Sequence, residues 1–296
     1  MKPLLERIRH GDVLLADGAM GTLLLGAGLK PGGCPESLNL DRPELLEQIA
    51  RKYFNAGAEI IQTNTFGASP LKLAAYGLAD QTEEINHSAV QAVRQAIGDK
   101  AYVCACCGPS GKLLKPYGDT EPRVITQGFE RQLRALVEAG IDAVNFETMI
   151  DLSEAEIAVT TAKSVAPDLT VVATMTFQPT RRGLFTIMGN TIAETARRLT
   201  AAGADVVGSN CGSGIELMVE IAREFRQAGT MPVSIRPNAD IPHLVGGQTV
   251  YPETPEFMAA RIPDLVRTGV SIIGGCCGTT TEHIRAFRAA LGSLRT

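Results

Sequence analysis

Thr268-Gly269-Val270-Ser271-Ile272-Ile273 runs directly into Gly274-Gly275-Cys276-Cys277-Gly278-Thr279 near the end of the chain. A glycine such as Gly269 is typical of a helix end, and the apolar residues that follow it are typical of a buried strand. The same arrangement of glycine and apolar run occurs three more times, at Ala56-Gly57-Ala58, Ala139-Gly140-Ile141 and Ala202-Gly203-Ala204. A weak internal repeat therefore organises the whole sequence.

The intervals between these repeats each have room for one more strand, because a βα unit needs about 30 residues or more. Apolar runs occur in the intervals and bring the predicted strands to residues 13–16, 59–62, 102–105, 143–146, 170–174, 206–210, 232–235 and 270–273. Continuous apolar runs are typical of parallel strands buried on both faces. We therefore predict an α/β fold, a (β/α)8 TIM barrel that forms a single domain over residues 1–296. An open doubly wound sheet is the alternative, and the lack of a GxGxxG turn disfavours it.

Several helix starts follow from local signals. Pro43 suits a first helical turn, and Thr254-Pro255 predicts the start of another helix. Ser153 with Glu156, and Thr191 with Glu194, have the spacing of a capping box.

Composition limits the classes of function. The chain has 296 residues, 45% of them hydrophobic, and a net charge of −4 with scattered basic residues, which excludes nucleic acid and anionic membranes as main partners. No apolar run approaches the roughly 18 residues that span a bilayer, so we expect a cytoplasmic, soluble protein. The seven cysteines include two vicinal pairs and no secreted disulfide pattern. Reduced thiols or metal ligation is therefore the better interpretation.

Three cysteines lie at predicted strand ends, namely Cys211, Cys276 and Cys277. Three thiolates can hold one zinc ion per chain, and three protein ligands leave a fourth position open, as in catalytic sites. Adjacent residues of a flat strand point to opposite faces, so Cys276 and Cys277 can share a metal only if the glycines around them bend the backbone. The alternative is that all three are small core residues.

Active sites of barrels lie at the C-terminal ends of the strands. In this sequence the predicted ends of strands 2 and 4 carry Asn64-Thr65 and Glu147-Thr148, and strand 1 leads into the glycine-containing turn at residues 17–22. We expect these groups to converge on the cysteines. As alternatives, Glu147 could be a structural ion-pair partner, Asp17 an ordinary turn residue and Asn64 a loop brace.

Six short motifs together resemble the homocysteine S-methyltransferase family across nearly the whole chain. They are DGAMGT at 17–22, TNTF at 63–66, ET at 147–148, NC at 210–211, PNA at 237–239 and GGCCGT at 274–279. The resemblance implies that Cys211, Cys276 and Cys277 bind zinc and that the sulfur of L-homocysteine takes the fourth position. It also implies that Asp17 and Glu147 face the amino acid portion of the substrate. On chemical grounds Glu147 can pair with the substrate ammonium, and the glycine-containing turn at 17–22 can receive the carboxylate. The substrate-binding residues implied are Asp17, Gly18, Ala19, Met20, Asn64, Thr65, Glu147 and Asn238.

The methyl donor differs within this family. The chain has no Trp for an aromatic cage, ends soon after the cysteine motif and has glycine at position 278. From these features we expect a methylated corrinoid on a separate protein, docked at the rim loops 112–122 and 240–252, with no cobalamin or folate module attached. The alternatives are S-methylmethionine, S-adenosylmethionine or betaine as donor. A zinc-binding module that methylates another thiol, or that docks a corrinoid protein without turnover, is a different class of function that also fits.

A second vicinal pair, Cys106-Cys107, follows the predicted third strand. We predict that it lies in a loop close to the barrel mouth. Packing of small residues is the simplest role for it, and an extra metal or oxidation is the alternative.

Overall fold

Eight parallel strands form one curved sheet in the computed structural model, which describes residues 1–246 and 248–294. We name them in chain order β1 Leu14–Leu15, β2 Ile60–Gln62, β3 Tyr102–Cys107, β4 Ala143–Met149, β5 Thr170–Met175, β6 Val206–Asn210, β7 Val233–Arg236 and β8 Ile272–Ile273. Each strand from β2 to β7 pairs with the next strand in the chain, and β8 pairs with β1. A parallel bridge between Ala16 and Ile60 then links β1 to β2. The predicted (β/α)8 barrel is confirmed.

Helices connect the strands on the outside. The α-helices span Leu4–Arg9, Gly21–Gly26, Leu38–Asp41, Pro43–Asn55, Pro70–Leu73, Thr82–Ile97, Pro122–Glu138, Leu152–Val165, Ile192–Ala202, Ile215–Ala228, Pro255–Ala259, Ile262–Arg267 and Thr281–Ser293. Short 3₁₀ turns span Pro35–Ser37, Ala74–Tyr76 and Ala79–Gln81. Two antiparallel hairpins, absent from the sequence prediction, follow β5 (Gln178–Thr180 with Gly183–Phe185) and β7 (His243–Val245 with Gln248–Val250). Position 247 of the predicted rim loop 240–252 lies outside the described residues.

The repeated glycines have the backbone conformation that the repeat requires. Gly57, Gly140, Gly203 and Gly269 have φ of +103°, +88°, +108° and +82°. An L-side chain is disfavoured in this left-handed region, and glycine enters it freely. Each of these residues can therefore end a helix and turn the chain toward the next strand.

The predicted helix starts are confirmed at three places and wrong at one. Pro43 occupies the first helical turn, and Thr191 and Thr254 accept hydrogen bonds from the main-chain N–H of Glu194 and Phe257. The predicted capping box of Ser153 and Glu156 is wrong, because that helix begins at Leu152 and its N-cap is Asp151, two residues before Ser153. The Asp151 carboxylate caps it by accepting from the Ser153 N–H at 2.8 Å.

Two apolar layers position the site. The larger layer lies between the strands and the surrounding helices, and a smaller one fills the lower barrel interior, where Leu4 and Ile8 of the first helix pack against inward residues such as Leu14 and Ile272. The interior below the strand ends is thus filled with side chains, and the upper end is left for polar groups. Within the described residues, no helix combines the length and apolar character needed to cross a bilayer.

Candidate metal and substrate site

A cavity of about 260 Å³ opens at the C-terminal ends of the strands. Three thiols lie at one side of it, and the residues that also line it include the charged groups of Asp17, Glu147 and Arg236. A larger groove of about 690 Å³ lies outside the barrel, between the helices Pro122–Glu138 and Leu152–Val165. The smaller cavity is the candidate site, because it alone of the two brings thiols and buried charges together in the described part of the chain.

The ligand atoms of Cys211, Cys276 and Cys277 all lie within 4.8 Å of one another. The sulfurs of Cys211 and Cys277 are 3.9 Å apart. Two sulfurs each about 2.3 Å from a tetrahedral zinc ion lie about 3.8 Å apart, so this spacing fits zinc. The structure therefore brings together the three cysteines that the sequence selected.

The backbone bend predicted at the vicinal cysteines is present. Strand β8 ends at Ile273, so Cys276 and Cys277 lie in the loop that follows it. Main-chain bonds from Gly275 N–H to the Asp17 carbonyl (2.9 Å) and from Cys276 N–H to the Pro237 carbonyl (2.7 Å) hold this loop. Gly278 has φ +80°. The third cysteine, Cys211, itself has φ +60°, a conformation that costs a non-glycine residue about 1–3 kcal/mol and is typical of functional sites.

Hydrogen bonds among the three thiols shift their pKa values in opposite directions. Hydrogen bonds from the thiols of Cys276 and Cys277 lower the pKa of Cys211 to about 3, and the Gly212 amide and the Asn238 side chain add to this effect. The hydrogen bond to Cys211 in turn raises the pKa of Cys276 and of Cys277. Asn238 thus lies against the Cys211 sulfur and is not part of the cavity lining. Asn210, which the sequence analysis did not select, points its side-chain N–H₂ at the Cys276 sulfur at 3.7 Å.

Asp17 lies at the bottom of the cavity and is fully buried. Its carboxylate accepts from the Gln62 main-chain N–H at 2.7 Å and from Arg236 at 2.8 Å. Burial raises the pKa of Asp17 to about 6, even though Arg236 opposes the shift. Burial likewise works against the charge of Arg236, but Glu147 and Asp17 raise its pKa above the ordinary value. Asp17 is therefore a member of a buried ion pair, not an ordinary turn residue.

Glu147, near the end of β4, accepts hydrogen bonds from four side chains. Its carboxylate accepts from Gln62 (2.9 Å), Asn145 (2.7 Å), Arg236 (3.3 Å) and the thiol of Cys106 (3.2 Å). The register of β4 shifts between Phe146 and Met149, and Thr148 has φ +58°. A bulge of this kind re-aims a side chain, and here the Glu147 carboxylate is directed at the cavity.

Asn64 and Thr65, which were both predicted to bind substrate, have different surroundings in the structure. Asn64 lines the cavity, but its N–H₂ donates to the Pro35 carbonyl (2.7 Å) and to Asn39 (2.9 Å), so it braces a loop. Thr65 is completely buried, donates to the Cys106 carbonyl and is not part of the lining. The polar group that β2 supplies to the cavity is Gln62 instead.

The glycine-containing turn at the end of β1 does line the cavity, through Gly18, Ala19 and Met20. The Ala19 N–H already donates to the Thr279 hydroxyl at 3.2 Å. A Cβ on Gly18 would lie 2.7 Å from that hydroxyl and 2.9 Å from the Tyr53 hydroxyl, so position 18 has no room for a side chain. The turn therefore approaches the cysteine loop closely.

The sequence analysis missed Arg236 and Gln62, and it placed Cys106 near the barrel mouth but in the wrong element. Arg236 ends the apolar run of β7, and Gln62 ends that of β2, so each had a usable signal as a polar residue at a barrel strand end. Cys106 was placed in a loop, which is wrong: Cys106 and Cys107 are the last two residues of β3. Regular alternation along β3 directs Cys106 to the cavity and Cys107 to the outer core.

Known proteins share both the sequence and the architecture. A family model described as homocysteine S-methyltransferase matches residues 14–291. Methionine synthase from Mycobacterium leprae (strain TN) is 33% identical over 305 residues, covering 97% of this chain and 25% of that protein. Methionine synthase from Mycobacterium tuberculosis (strain ATCC 25618 / H37Rv) is also 33% identical, over 300 residues that cover 96% of this chain and 25% of that protein.

Solved structures of the homocysteine methyltransferase MmuM from Escherichia coli have the same fold. The oxidized form has a TM-score of 0.79 at 22% identity, covering 98% of this chain and 99% of that one. The metallated form has a TM-score of 0.78 at 22% identity, covering 97% and 99%.

The fold and the site together define the class of this protein, a (β/α)8 barrel whose cavity is lined by thiols and buried carboxylates. The chain belongs to the homocysteine S-methyltransferase family. It spans about a quarter of the length of the methionine synthases that it matches.

Proposed function

We propose that this protein transfers a methyl group to the thiol of L-homocysteine and forms methionine. The observation that carries the proposal is the cavity lined both by the three thiols and by Glu147 with its buried partners. A thiol amino acid has the two groups that such a cavity can hold, a sulfur at one end and an ammonium at the other. In the reaction the sulfur forms the new bond to the methyl carbon, the donor keeps the electron pair of the broken bond, and the thiol proton is released.

The metal that the donor set favours is zinc, one ion per chain, held by Cys211, Cys276 and Cys277. Thiolate ligands at tetrahedral spacing are typical of zinc, and three of them leave one position for substrate. When bound, zinc would lower the pKa of the substrate thiol, so that its proton is released to solvent and its sulfur is left as a nucleophilic thiolate. The solved metallated form of MmuM supports a metal in this fold.

Glu147 is the group that we assign to the substrate ammonium. Its side chain is 13% exposed, whereas that of Asp17 is 2% exposed. Asp17 and Glu147 together carry two negative charges against the one positive charge of Arg236, so a single ammonium would complete the balance. For the substrate carboxylate we propose the turn formed by Gly18, Ala19 and Met20, with the amides of Gly18 and Met20 as donors because that of Ala19 is already used. Asn64, Thr65 and Asn238 then support the site through the loops and through Cys211.

The donor that we propose is a methylated corrinoid carried by a separate protein. Greater identity to methionine synthases than to MmuM supports it. In the described structure Phe66 is the single aromatic side chain in the cavity lining, which gives a quaternary ammonium donor no cage. The rim also exposes Leu113, Tyr117, Ile241 and Leu244, as a protein-docking surface would. S-methylmethionine is the second candidate donor, because it is one of the donors that the family resemblance allows.

A methyl-transfer assay with donors in parallel tests the proposal. The zinc-loaded protein receives L-homocysteine together with a free or protein-bound methylcorrinoid, S-methylmethionine, S-adenosylmethionine or betaine. Methionine should form with the methylcorrinoid and not with betaine. Turnover with S-methylmethionine alone would replace the donor and leave the thiol chemistry intact. If no donor gives methionine and homocysteine does not bind, the alternatives of another thiol substrate or a non-catalytic docking module become the better explanations.

Glu147→Gln tests the substrate assignment separately. Homocysteine binding should weaken by about 3–5 kcal/mol, the usual result of breaking one side of a buried charged pair, while zinc content stays at one per chain. Isothermal titration and metal analysis measure the two effects. Unchanged homocysteine affinity would remove Glu147 from the substrate site, and an equal loss of zinc would make it structural.

A further inference from the structure

Arg236 makes more contacts within the site than any group the sequence analysis selected. Its Nε donates to the Gly275 carbonyl at 3.1 Å, and its Nη1 donates to Gln62 and to Glu147. Its Nη2 donates to the carbonyl of Asp17 (3.3 Å) and to the Asp17 carboxylate (2.8 Å). A guanidinium has five N–H donors. All five have acceptors inside the protein, so Arg236 has none left for a substrate carboxylate.

The acceptors of Arg236 belong to both ends of the cavity. Asp17 and Glu147 form the end assigned to the substrate ammonium, and Gly275 immediately precedes Cys276 at the thiol end. The guanidinium is planar and nearly completely buried, with 5% of the side chain exposed. Because a planar fork fixes the directions of all its bonds, it holds the two ends of the cavity in one spatial relation.

The main chain at the same point holds the cysteines. The Arg236 carbonyl accepts from the Cys211 N–H at 3.2 Å, and the carbonyl of the next residue, Pro237, accepts from the Cys276 N–H at 2.7 Å. The end of β7 thus supports the cysteines through its backbone and the carboxylates through one side chain. A strand that pairs with β6 and β8 on either side is a rigid base for this arrangement.

We propose that Arg236 is a positioning residue that sets the distance between the ammonium and thiol ends of the cavity. By fixing this distance it selects homocysteine over cysteine, the thiol amino acid that is one methylene shorter. This inference rests on the proposed function and deepens it. Cysteine lacks one methylene, so its sulfur falls short of the thiol end by about 1.5 Å, one C–C bond length, when its ammonium is at Glu147. A displacement of about 1 Å can cost about 100-fold in rate, and one methylene changes selectivity by about 10- to 200-fold.

Two variants distinguish the positioning role of Arg236 from the effect of its positive charge. Arg236→Met removes the charge and every bond. Arg236→Lys keeps the positive charge, but the three N–H donors of lysine all lie on one nitrogen and cannot reach the five acceptors around the guanidinium. The matched control is Arg198→Lys, because Arg198 pairs with two carboxylates, Glu156 and Glu194, on the outer helices away from the cavity.

The measurement is the ratio of homocysteine to cysteine affinity in zinc-loaded protein, by isothermal titration, with zinc content and thermal unfolding recorded for each variant. We expect the ratio to fall at least tenfold in Arg236→Lys and further in Arg236→Met, and to stay at the wild-type value in Arg198→Lys. If Arg236→Met does not fold, Arg236→Lys decides the question. A folded, zinc-containing Arg236→Lys protein with the wild-type ratio would overturn the proposal, as would equal losses for both amino acids. Failure of the wild-type protein to bind homocysteine would instead count against the proposed function.

Discussion

The two vicinal cysteine pairs have the same local sequence, Cys-Cys-Gly, and opposite surroundings. The first pair, Cys106 and Cys107, ends the regular strand β3, where both residues are buried. The second pair, Cys276 and Cys277, follows the end of β8 in a bent loop, where both are partly exposed and lie with Cys211. In the strand, alternation sends neighbouring thiols to opposite faces. In the loop, the two thiols reach the same cavity.

Backbone conformation thus decides the chemistry of these cysteines more than residue type does. Burial, together with the charge of Glu147, raises the pKa of Cys106 and of Cys107, so both remain neutral thiols. Cys106 donates its S–H to a carboxylate, and Cys107 packs in the outer core. The extra metal site considered for this pair has no third ligand among the described residues, since the one metal-competent cluster found there is that of the second pair.

The largest expected difference between the pairs is in zinc binding. Cys276→Ala should reduce the zinc content from one per chain to well below one, because it leaves two thiolates for an ion that needs at least three protein ligands in sites of this kind. Cys106→Ala and Cys107→Ala are the matched controls and should retain one zinc per chain. Metal analysis after dialysis checks this. Full occupancy in the Cys276→Ala protein would refute the ligand assignment.

The glycines that follow the pairs provide the next contrast. Gly278→Ala should lower zinc affinity clearly, because φ +80° is strained for alanine by about 1–3 kcal/mol and its Cβ would lie 2.2 Å from the Tyr251 ring. Gly140→Ala is the control for strain alone, because Gly140 has φ +88° at a helix end outside the cavity and its Cβ would have no atom within 4 Å, whereas the Cβ of Gly108→Ala would lie 2.5 Å from the Phe66 ring of the cavity. Competition with a chromogenic chelator measures both affinities. Equal affinities in the two variants would show that the bend does not determine metal binding.

For the free energy of unfolding we expect the first cysteine pair to matter more than the second. Cys107→Ser places a hydroxyl in the apolar outer core without a partner, which should lower the free energy of unfolding by about 1–3 kcal/mol. Cys277→Ser in zinc-free protein should cost less, because this side chain lies at a partly open cavity. Urea unfolding of both zinc-free variants gives the comparison. A larger loss for Cys277→Ser would mean that the second pair also stabilises the core.

The smallest effect concerns Cys106 as a support for Glu147. Cys106→Ala removes one of four donors to that carboxylate, so homocysteine affinity should fall by about 2- to 10-fold, the equivalent of one neutral hydrogen bond. Cys106→Ser, which restores a donor, should recover most of the loss. Titration of both variants with homocysteine is the measurement. If Cys106→Ala matches the loss in Glu147→Gln, Cys106 contacts the substrate directly.

Patterns that depend on neighbouring residues were predictable from the sequence. The four glycines at helix ends, the apolar runs and the cysteines at strand ends were sufficient to predict the barrel and the thiol cluster. Directions of side chains were not predictable: Gln62, the last residue of β2, faces the cavity, whereas Thr65, three residues further on, is buried away from it. Arg236 was missed because the predicted strand ended at residue 235 and the PNA motif at 237–239 was selected after it, and because the partners of Arg236 lie far away in sequence.

The barrel closes where its first strand, Leu14–Leu15, meets its last, Ile272–Ile273, and both are only two residues long. Contacts between chain segments so distant in sequence are slow to form. The three cysteines all lie on one side of that seam, because β7 pairs with β6 and with β8 and its end accepts from the N–H groups of Cys211 and Cys276. Tight metal uptake during refolding should therefore precede closure of the barrel, and the bound ion would mark the chains in which β6, β7 and β8 have already assembled.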